Sequence, residues 1–351
     1  MGRKIDLKWM VQLIFGLFLA GVFLAKGAFA QAPNHRVSAI LFFGYGGLDL
    51  EKIKPSLPVH VGDNWSSESI AKLSKSIETL TGHKPTDIAP ITYKNDNLVL
   101  YIGLPGSTSH SLSFNAEPTG DSHLPQAVEG LYNQAVEAAA EGLRKGGVSD
   151  DVSNGYGISS DPKLRTAQLA MRDYALTHKE LIFQVLETSA DPQQRALAAH
   201  ALGYGERSKR QIAALIAATR DANANVRNNA TRALSILAFT DPTIEQQIPI
   251  EQLCEMLNSG SWTDRNKATG FIETILKNND SALISILRTH CLDSLCEMAC
   301  WDTADNAELY RSILARIAGI PDTQWQKLPV SELVSAAQRC RTADDKNSGN
   351  P

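Results

Sequence analysis

Cysteine is missing from residues 31–253: Cys254, Cys291, Cys296, Cys300 and Cys340 all fall in the last third of the 351-residue chain. That distribution excludes a small disulfide-dense scaffold. A basic excess is missing too. Lys and Arg total 34 against 38 Asp and Glu, a formal charge of -4, so nucleic acid is not indicated as a main partner. Glycine (24) and proline (15) are at ordinary levels, which excludes collagen-like and wholly disordered chains. Beyond Ala25 no apolar run is long enough to cross a bilayer. Catalytic motifs are absent as well: there is no Gly-x-Ser-x-Gly elbow, His-Glu-x-x-His or phosphate loop. Ser69-x-x-Lys72 and Ser160-x-x-Lys163 lack the Ser-Asp-Asn and Lys-Thr-Gly companions that would give them meaning. No catalytic residue, cofactor or metal is assigned, and the chain is expected not to be an enzyme.

The N-terminus reads as an address. Arg3, Lys4 and Lys8 precede an uncharged stretch from Trp9 to Ala25, and Ala28-Phe29-Ala30 precedes Gln31. A basic head, an apolar middle and a small-x-small site are the pattern of a secretory signal, so residues 1–30 are expected to be cleaved and the mature chain to be periplasmic or secreted. The alternative is an inner-membrane anchor through residues 9–25. Cleavage removes four basic residues and one acid, taking the formal charge from -4 to -7. In an exported chain, five cysteines leave at least one thiol unpaired or shared. Cys254, Cys291, Cys300 and Cys340 are candidate disulfide formers, as Cys300 with Cys340 or Cys254 with Cys291. His290, Cys291, Cys296 and Cys300 lack the spacing of a metal site.

Two regions of different periodicity follow. Residues 31–145 are predicted to form a small α/β domain. A strand carries Val37, Ala39, Leu41 and Phe43 and ends at Gly44-Tyr45-Gly46-Gly47. A short helix is predicted over 48–57. A longer one carries Ile70, Leu73, Ile77 and Leu80, with Asn64 or Ser66 as N-cap and Gly82 at its C-terminal end. Thr92-Tyr93 and 97–103 predict a hairpin turning near Lys94-Asn95-Asp96, and a helix follows over 126–145. Residues 146–160 are turn-rich and are expected to be a linker. The β-α-α-β-β order, with Gly44-Tyr-Gly-Gly-Leu-Asp-Leu-Glu-Lys-Ile53 and Leu57-Pro-Val-His-Val-Gly-Asp63, resembles a POTRA-type domain over residues 37–103. That resemblance implies strand capture at a sheet edge. The outer-membrane barrel that usually accompanies the family is missing here.

From Asp161 the sequence repeats. Arg195-Ala-Leu-Ala-Ala-His-Ala-Leu202, Arg227-Asn-Asn-Ala-Thr-Arg-Ala-Leu234 and Arg265-Asn-Lys-Ala-Thr-Gly-Phe-Ile272 share arginine, alanine three later and a bulky apolar residue seven later. Leu253-Cys-Glu-Met256 returns as Leu295-Cys-Glu-Met298. Such periods mark a helical solenoid, in which stacked hairpins bury one continuous core. Asp161-Pro162, Asp191-Pro192, Asp221 and Asp264 precede the first helices as expected caps. Asp221 to Leu234, with Val226, Arg227, Ala230, Ala233 and Leu234, resembles a HEAT repeat of the bacterial phycobilisome-lyase-like type. Five units are expected across 161–341, at 161–189, 190–220, 221–259, 260–300 and 304–341, with a disordered tail over 342–351. The resemblance implies a structural Asp/Arg ladder along the stack, in the pairs Asp191/Arg195 and Asp221/Arg227, with Arg265 at the same structural repeat position. It does not imply lyase activity.

The predicted architecture is therefore α+β: a small α/β domain followed by an all-α solenoid. The predicted function is protein binding. The repeat register places Lys179, Glu180, Gln211, Gln252, Glu255, Glu332 and Gln338 on the face of the second helices, facing a protein or peptide partner. Two rivals stand beside it. One is an envelope-assembly module that captures strands on its α/β domain. The other is an enzyme with a site at the domain junction near Asp150, Asp151 and Tyr156. Arg207-Ser-Lys209-Arg210 reads as a solvated loop between paired helices.

Overall fold

A computed structural model describes residues 35–93, 97–145, 149–276 and 281–348. The signal-like segment, Lys94-Asn95-Asp96 and residues 349–351 lie outside the described residues. In chain order the elements begin with β1 (Arg36–Phe43), α1 (Leu50–Ile53, continued by a 3-10 turn over Lys54–Ser56), α2 (Ser67–Thr81), β2 (Asp87–Thr92) and β3 (Asn97–Gly103). Then come α3 (Gln126–Arg144), β4 (Asp150–Asp151), β5 (Ile158–Ser159), α4 (Pro162–Thr177), α5 (Lys179–Thr188), α6 (Pro192–Leu202), α7 (Lys209–Ala218) and α8 (Ala224–Thr240). The last third holds α9 (Pro242–Glu245), α10 (Ile250–Leu257), α11 (Trp262–Ile275), α12 (Ser281–His290), α13 (Leu292–Ala299), α14 (Ala304–Ile317), α15 (Asp322–Trp325) and α16 (Val330–Ser348). A helical repeat region is thus joined to a three-stranded sheet of order β1-β3-β2 and a two-stranded β4-β5 ladder. Residues 342–348, expected as disordered tail, continue α16.

The described residues form two compact units that do not follow the chain order. The first comprises residues 113–248 together with 92, 93 and 97. The second comprises 35–91, 98–112 and 249–348. Compactness therefore joins the three-stranded sheet to the last third of the chain, not to the helix at 126–144 that follows it in sequence.

In the first unit α3 packs along α4, burying Ala135, Val136, Ala138 and Ala139 against Leu164 and Ala167. Of residues 146–160, expected as a linker, the described part, 149–160, instead carries the β4-β5 pair, with Asp150 opposite Ser159. Gln168 on α4 holds it in place, accepting from the Ser159 amide at 2.6 Å. The repeat helices start as their caps dictate. Asp161 accepts from the Lys163 and Leu164 amides, Asp191 accepts from the Gln193 amide, and Pro162 and Pro192 stand where no intrahelical donor is needed. Helix α8 departs from this: Asn223, not Asp221, is its N-cap. Asp264 is likewise no cap. It is buried inside α11 and accepts from the Ser259 hydroxyl at 2.9 Å. The repeat register itself holds: Ala198, Ala230 and Ala268 are each 0% exposed, which permits close helix approach.

In the second unit the sheet buries Val37, Phe42, Leu98, Leu100 and Ile102 against Ile53 and Leu57, and against Leu73 and Ile77 of α2. Ser66 and Ser69 close a capping box at the start of α2. Gly82 ends the helix at φ 79°, a left-handed conformation that suits glycine. Ile70 and Leu80, expected on the same apolar stripe, are 39% and 41% exposed, so the buried stripe is narrower than the sequence suggests. The other sheet face meets the repeat helices. Tyr101 stacks on Trp262 with ring centroids 3.7 Å apart, and the Trp301 indole N–H donates to the Phe42 carbonyl at 2.7 Å. Such rings stabilise through both area and geometry.

Candidate binding face

Each repeat arginine reaches back to the turn before its own helix. Arg195 donates to the Ser189 carbonyl at 2.9 Å, Arg227 to the Asp221 carbonyl at 2.8 Å and Arg265 to the Ser259 carbonyl at 2.6 Å. The recurrence explains why arginine repeats at this position: a long planar donor satisfies carbonyls that the turn leaves without helical partners. Arg195 also makes a two-point bond to Asp221 of the following repeat, at 2.7 and 3.0 Å. The ladder therefore runs between repeats, not from Asp191 to Arg195 within one. Asp221 raises the Arg195 pKa further.

On the second helices of the first unit, Lys179 and Glu180 are exposed. Lys179 pairs with Glu206 at 3.8 Å and Glu180 with Arg210 at 2.7 Å. Gln211 is not on this face. It is 1% exposed and its side-chain amide donates to the Leu202 carbonyl at 2.6 Å, closing the joint between α6 and α7. In the second unit Glu255, Glu332 and Gln338 are exposed, while Gln252 is buried. Repeat alignment gave the helices, but Gln211 and Gln252 lie in the first turn of their helices, on the side packed inward. The basic cluster is also engaged: Arg207 bonds Asp241 and the Thr240 hydroxyl, and Arg210 lies over the Phe183 ring.

The face carries a feature with no signature in the sequence. Residues 113–124, outside any helix or named strand, run along the repeat turns. The Asn115 amide donates to the Arg220 carbonyl at 2.8 Å and its side chain to the Ala217 carbonyl at 2.9 Å. Gly120 exchanges two bonds with the preceding repeat, its N–H to the Thr188 carbonyl and its carbonyl from Ala190 N–H. A Cβ at Gly120 would stand 2.6 Å from that Thr188 oxygen, so only glycine permits the approach. Phe114 lies under the Arg227 guanidinium, and Gln194 accepts from the Leu124 amide. Beside this strap lies a groove of about 410 Å³, bounded by Asn115 and Pro118, Leu186 and Glu187, and Ala213 and Ala217.

The residues of the enzyme reading do not converge. Asp150 is 2% exposed, accepts from Gln168 at 3.1 Å and lies 3.6 Å from Arg232; burial raises its pKa to about 6. Asp151 points outward and accepts from the Ser153 amide. Tyr156 lies under Arg172 beside a separate groove of about 290 Å³ that Asp150 does not line.

In the second unit the Gly44-Tyr45-Gly46 turn wraps a carboxylate. Glu297 accepts from the Gly44 amide at 2.8 Å and from the Thr108 hydroxyl at 2.5 Å, and that hydroxyl accepts from the Gly46 amide. Gly44 adopts φ 69°, with Ser109 and Leu104 too close for a side chain. Burial raises the Glu297 pKa despite these donors. Among the described residues no helix is long and apolar enough to cross a membrane, and no three His, Cys, Asp or Glu side chains are grouped to hold a metal.

No curated protein matches the chain. Among solved structures, the crystal structure of an engineered protein is 17% identical, with a TM-score of 0.36, covering 52% of this chain and 92% of its own. The family model for HEAT repeats matches residues 180–271, from α5 to α11. The arginine-turn bonds and buried alanines described above recur through that span, which is similar to a run of HEAT repeats.

Proposed function

We propose that this chain is an exported, non-enzymatic scaffold that binds an extended polypeptide on the groove between α5 and α7. The 113–124 strap carries this reading. It is a segment of this chain bound to successive repeat turns through main-chain bonds at Asn115 and Gly120, and the groove beside it is where we place a second polypeptide segment. HEAT repeats themselves favour a protein-interaction role, since stacked hairpins present one long face. The exposed alanines Ala213 and Ala217 leave the groove open. The signal-like segment at 1–30 is the ground for proposing export, and N-terminal sequencing of the mature chain at Gln31 tests it.

The test is crosslinking and pull-down from an envelope fraction with the full chain and with Ala213→Arg. An arginine at this exposed helical site fills the groove without touching the core. A specific partner that is lost at least about tenfold with Ala213→Arg is the expected result. A partner retained equally by both chains would remove the groove from the proposal. The POTRA-like strand-capture reading is weaker. The order β1-β3-β2 leaves β1 and β2 at the edges, but Val37 already bonds Gly62 and Asp63 through its main chain, and Pro90 removes a donor from β2.

A further inference from the structure

We infer that Cys254 and Cys291 are joined by a disulfide in the folded protein. Cys254 lies on α10 and Cys291 in the turn between α12 and α13, 37 residues later. Their sulfurs are 2.7 Å apart. That is closer than the ~3.5–4.0 Å optimum even of smaller non-bonded carbon atoms, so two thiols held here repel unless a bond forms between them. Both residues are buried, and no third ligating side chain stands with them among the described residues, which leaves a thiol pair and not a metal site. Of the other three cysteines, Cys296 is also buried, Cys300 is exposed and Cys340 is half-exposed.

The pair is an addition to the repeat and not a product of it. The 42-residue step that takes Cys254 to Cys296 takes Cys291 to Leu333. Leu333 is buried, so the equivalent place in the next repeat is filled by an ordinary core residue.

The step is a thiol–disulfide exchange. One thiolate of the pair attacks a disulfide R–S–S–R, small or protein-borne, and releases R–SH. The second thiolate then attacks the mixed disulfide, forms the Cys254–Cys291 bond and releases the second R–SH. The two cysteine protons end on the two released thiols, the pair is oxidised by two electrons and the disulfide is reduced by two. Burial, together with the neighbouring Cys254, pushes the Cys291 thiol far up its scale, so the folded pair holds little thiolate. Oxidation therefore belongs to folding, before α10 and α12 close over the sulfurs. The finished bond is shielded from reductants in the same way.

The full chain, unfolded, reduced and refolded in mixed reduced and oxidised glutathione, tests this by alkylation under denaturing conditions and peptide mapping. Of five thiols, three react before reduction and all five after it, and the Cys254 and Cys291 peptides are recovered linked. The variant C296A/C300A/C340A keeps only the pair; no thiol reacts before reduction and two react after. Reductant without denaturant leaves the bond intact. Five reactive thiols in the refolded chain, two in the triple variant, or a link between any other pair would overturn the inference.

Discussion

Arg195 in the first unit and Arg265 in the second occupy the same repeat position and reach back to the same carbonyl, six residues upstream. Their surroundings differ. Arg195 meets the Asp221 carboxylate squarely, which raises its pKa. Arg265 lies fully buried under Phe43, donates to the Thr108 carbonyl, and has its nearest carboxylate, Glu297, at 3.8 Å; burial lowers its pKa to about 10. The first arginine ties one repeat to the next. The second ties a repeat helix to the loop after the sheet. One sequence signal thus serves two attachments, and the choice is made by what packs beside the turn.

The largest expected effect breaks the first of these. Arg195→Met leaves the Asp221 carboxylate buried without its cation and costs about 3–5 kcal/mol. Arg265→Met removes a charge that burial already disfavours and leaves carbonyls short of donors, about 1–3 kcal/mol. Urea denaturation followed by circular dichroism compares them; equal losses would erase the distinction.

Next in size is a pH dependence of the first unit. The folded pKa of Asp150 is raised to about 6, above its ordinary value of 3.8. Between those values the folded state holds the proton and the unfolded state does not. Stability therefore falls as pH rises from about 4 to about 6, by up to about 3 kcal/mol, and stays low above that. Asp150→Asn flattens this window in a pH series of unfolding midpoints; an unchanged slope would assign the effect elsewhere.

A smaller effect sharpens the comparison inside the repeated Leu-Cys-Glu-Met motif. Glu297→Ala deprives the Gly44 amide and the Thr108 hydroxyl of their acceptor, at about 2 kcal/mol. Glu255→Ala, at the equivalent exposed position, stays within about 0.5 kcal/mol. Tryptophan fluorescence reads both, since Trp65, Trp262, Trp301 and Trp325 all belong to the second unit and residues 113–248 contain none. The smallest is Asp161→Ala, which removes the α4 cap for about 1 kcal/mol and is expected to leave tryptophan emission unmoved while lowering the helical signal's midpoint.

What the sequence made legible is local. Spacing alone placed Ala198, Ala230 and Ala268 inside and Asp161 and Asp191 at helix starts, because helical period and capping act within a few residues. The β1 strand and α2 were legible for the same reason. The β4-β5 ladder was not, since two-residue strands stand on Gln168 and the core behind it and not on their own propensity. Nor was the docked strap, whose bonds are main-chain bonds to distant turns. The faces of Gln211 and Gln252 were misplaced because repeat alignment fixes which helix a residue is on before it fixes which side. Most hidden of all was the grouping of the sheet with the last hundred residues. It rests on Glu297, Trp262 and Trp301 meeting residues 42–108, contacts separated by well over 100 positions in the chain.

That grouping sets an order of events. During synthesis, residues 35–91 emerge early but lack the helices that cover one face of their sheet until Trp262 and Trp301 have been made. Residues 113–248 have most of their partners within their own span. The middle of this chain can finish folding first, while its earlier part waits with Phe43 and Tyr101 uncovered. A chain halted after Ile248 would therefore present a completed centre and an adhesive beginning, the kind of intermediate a chaperone holds.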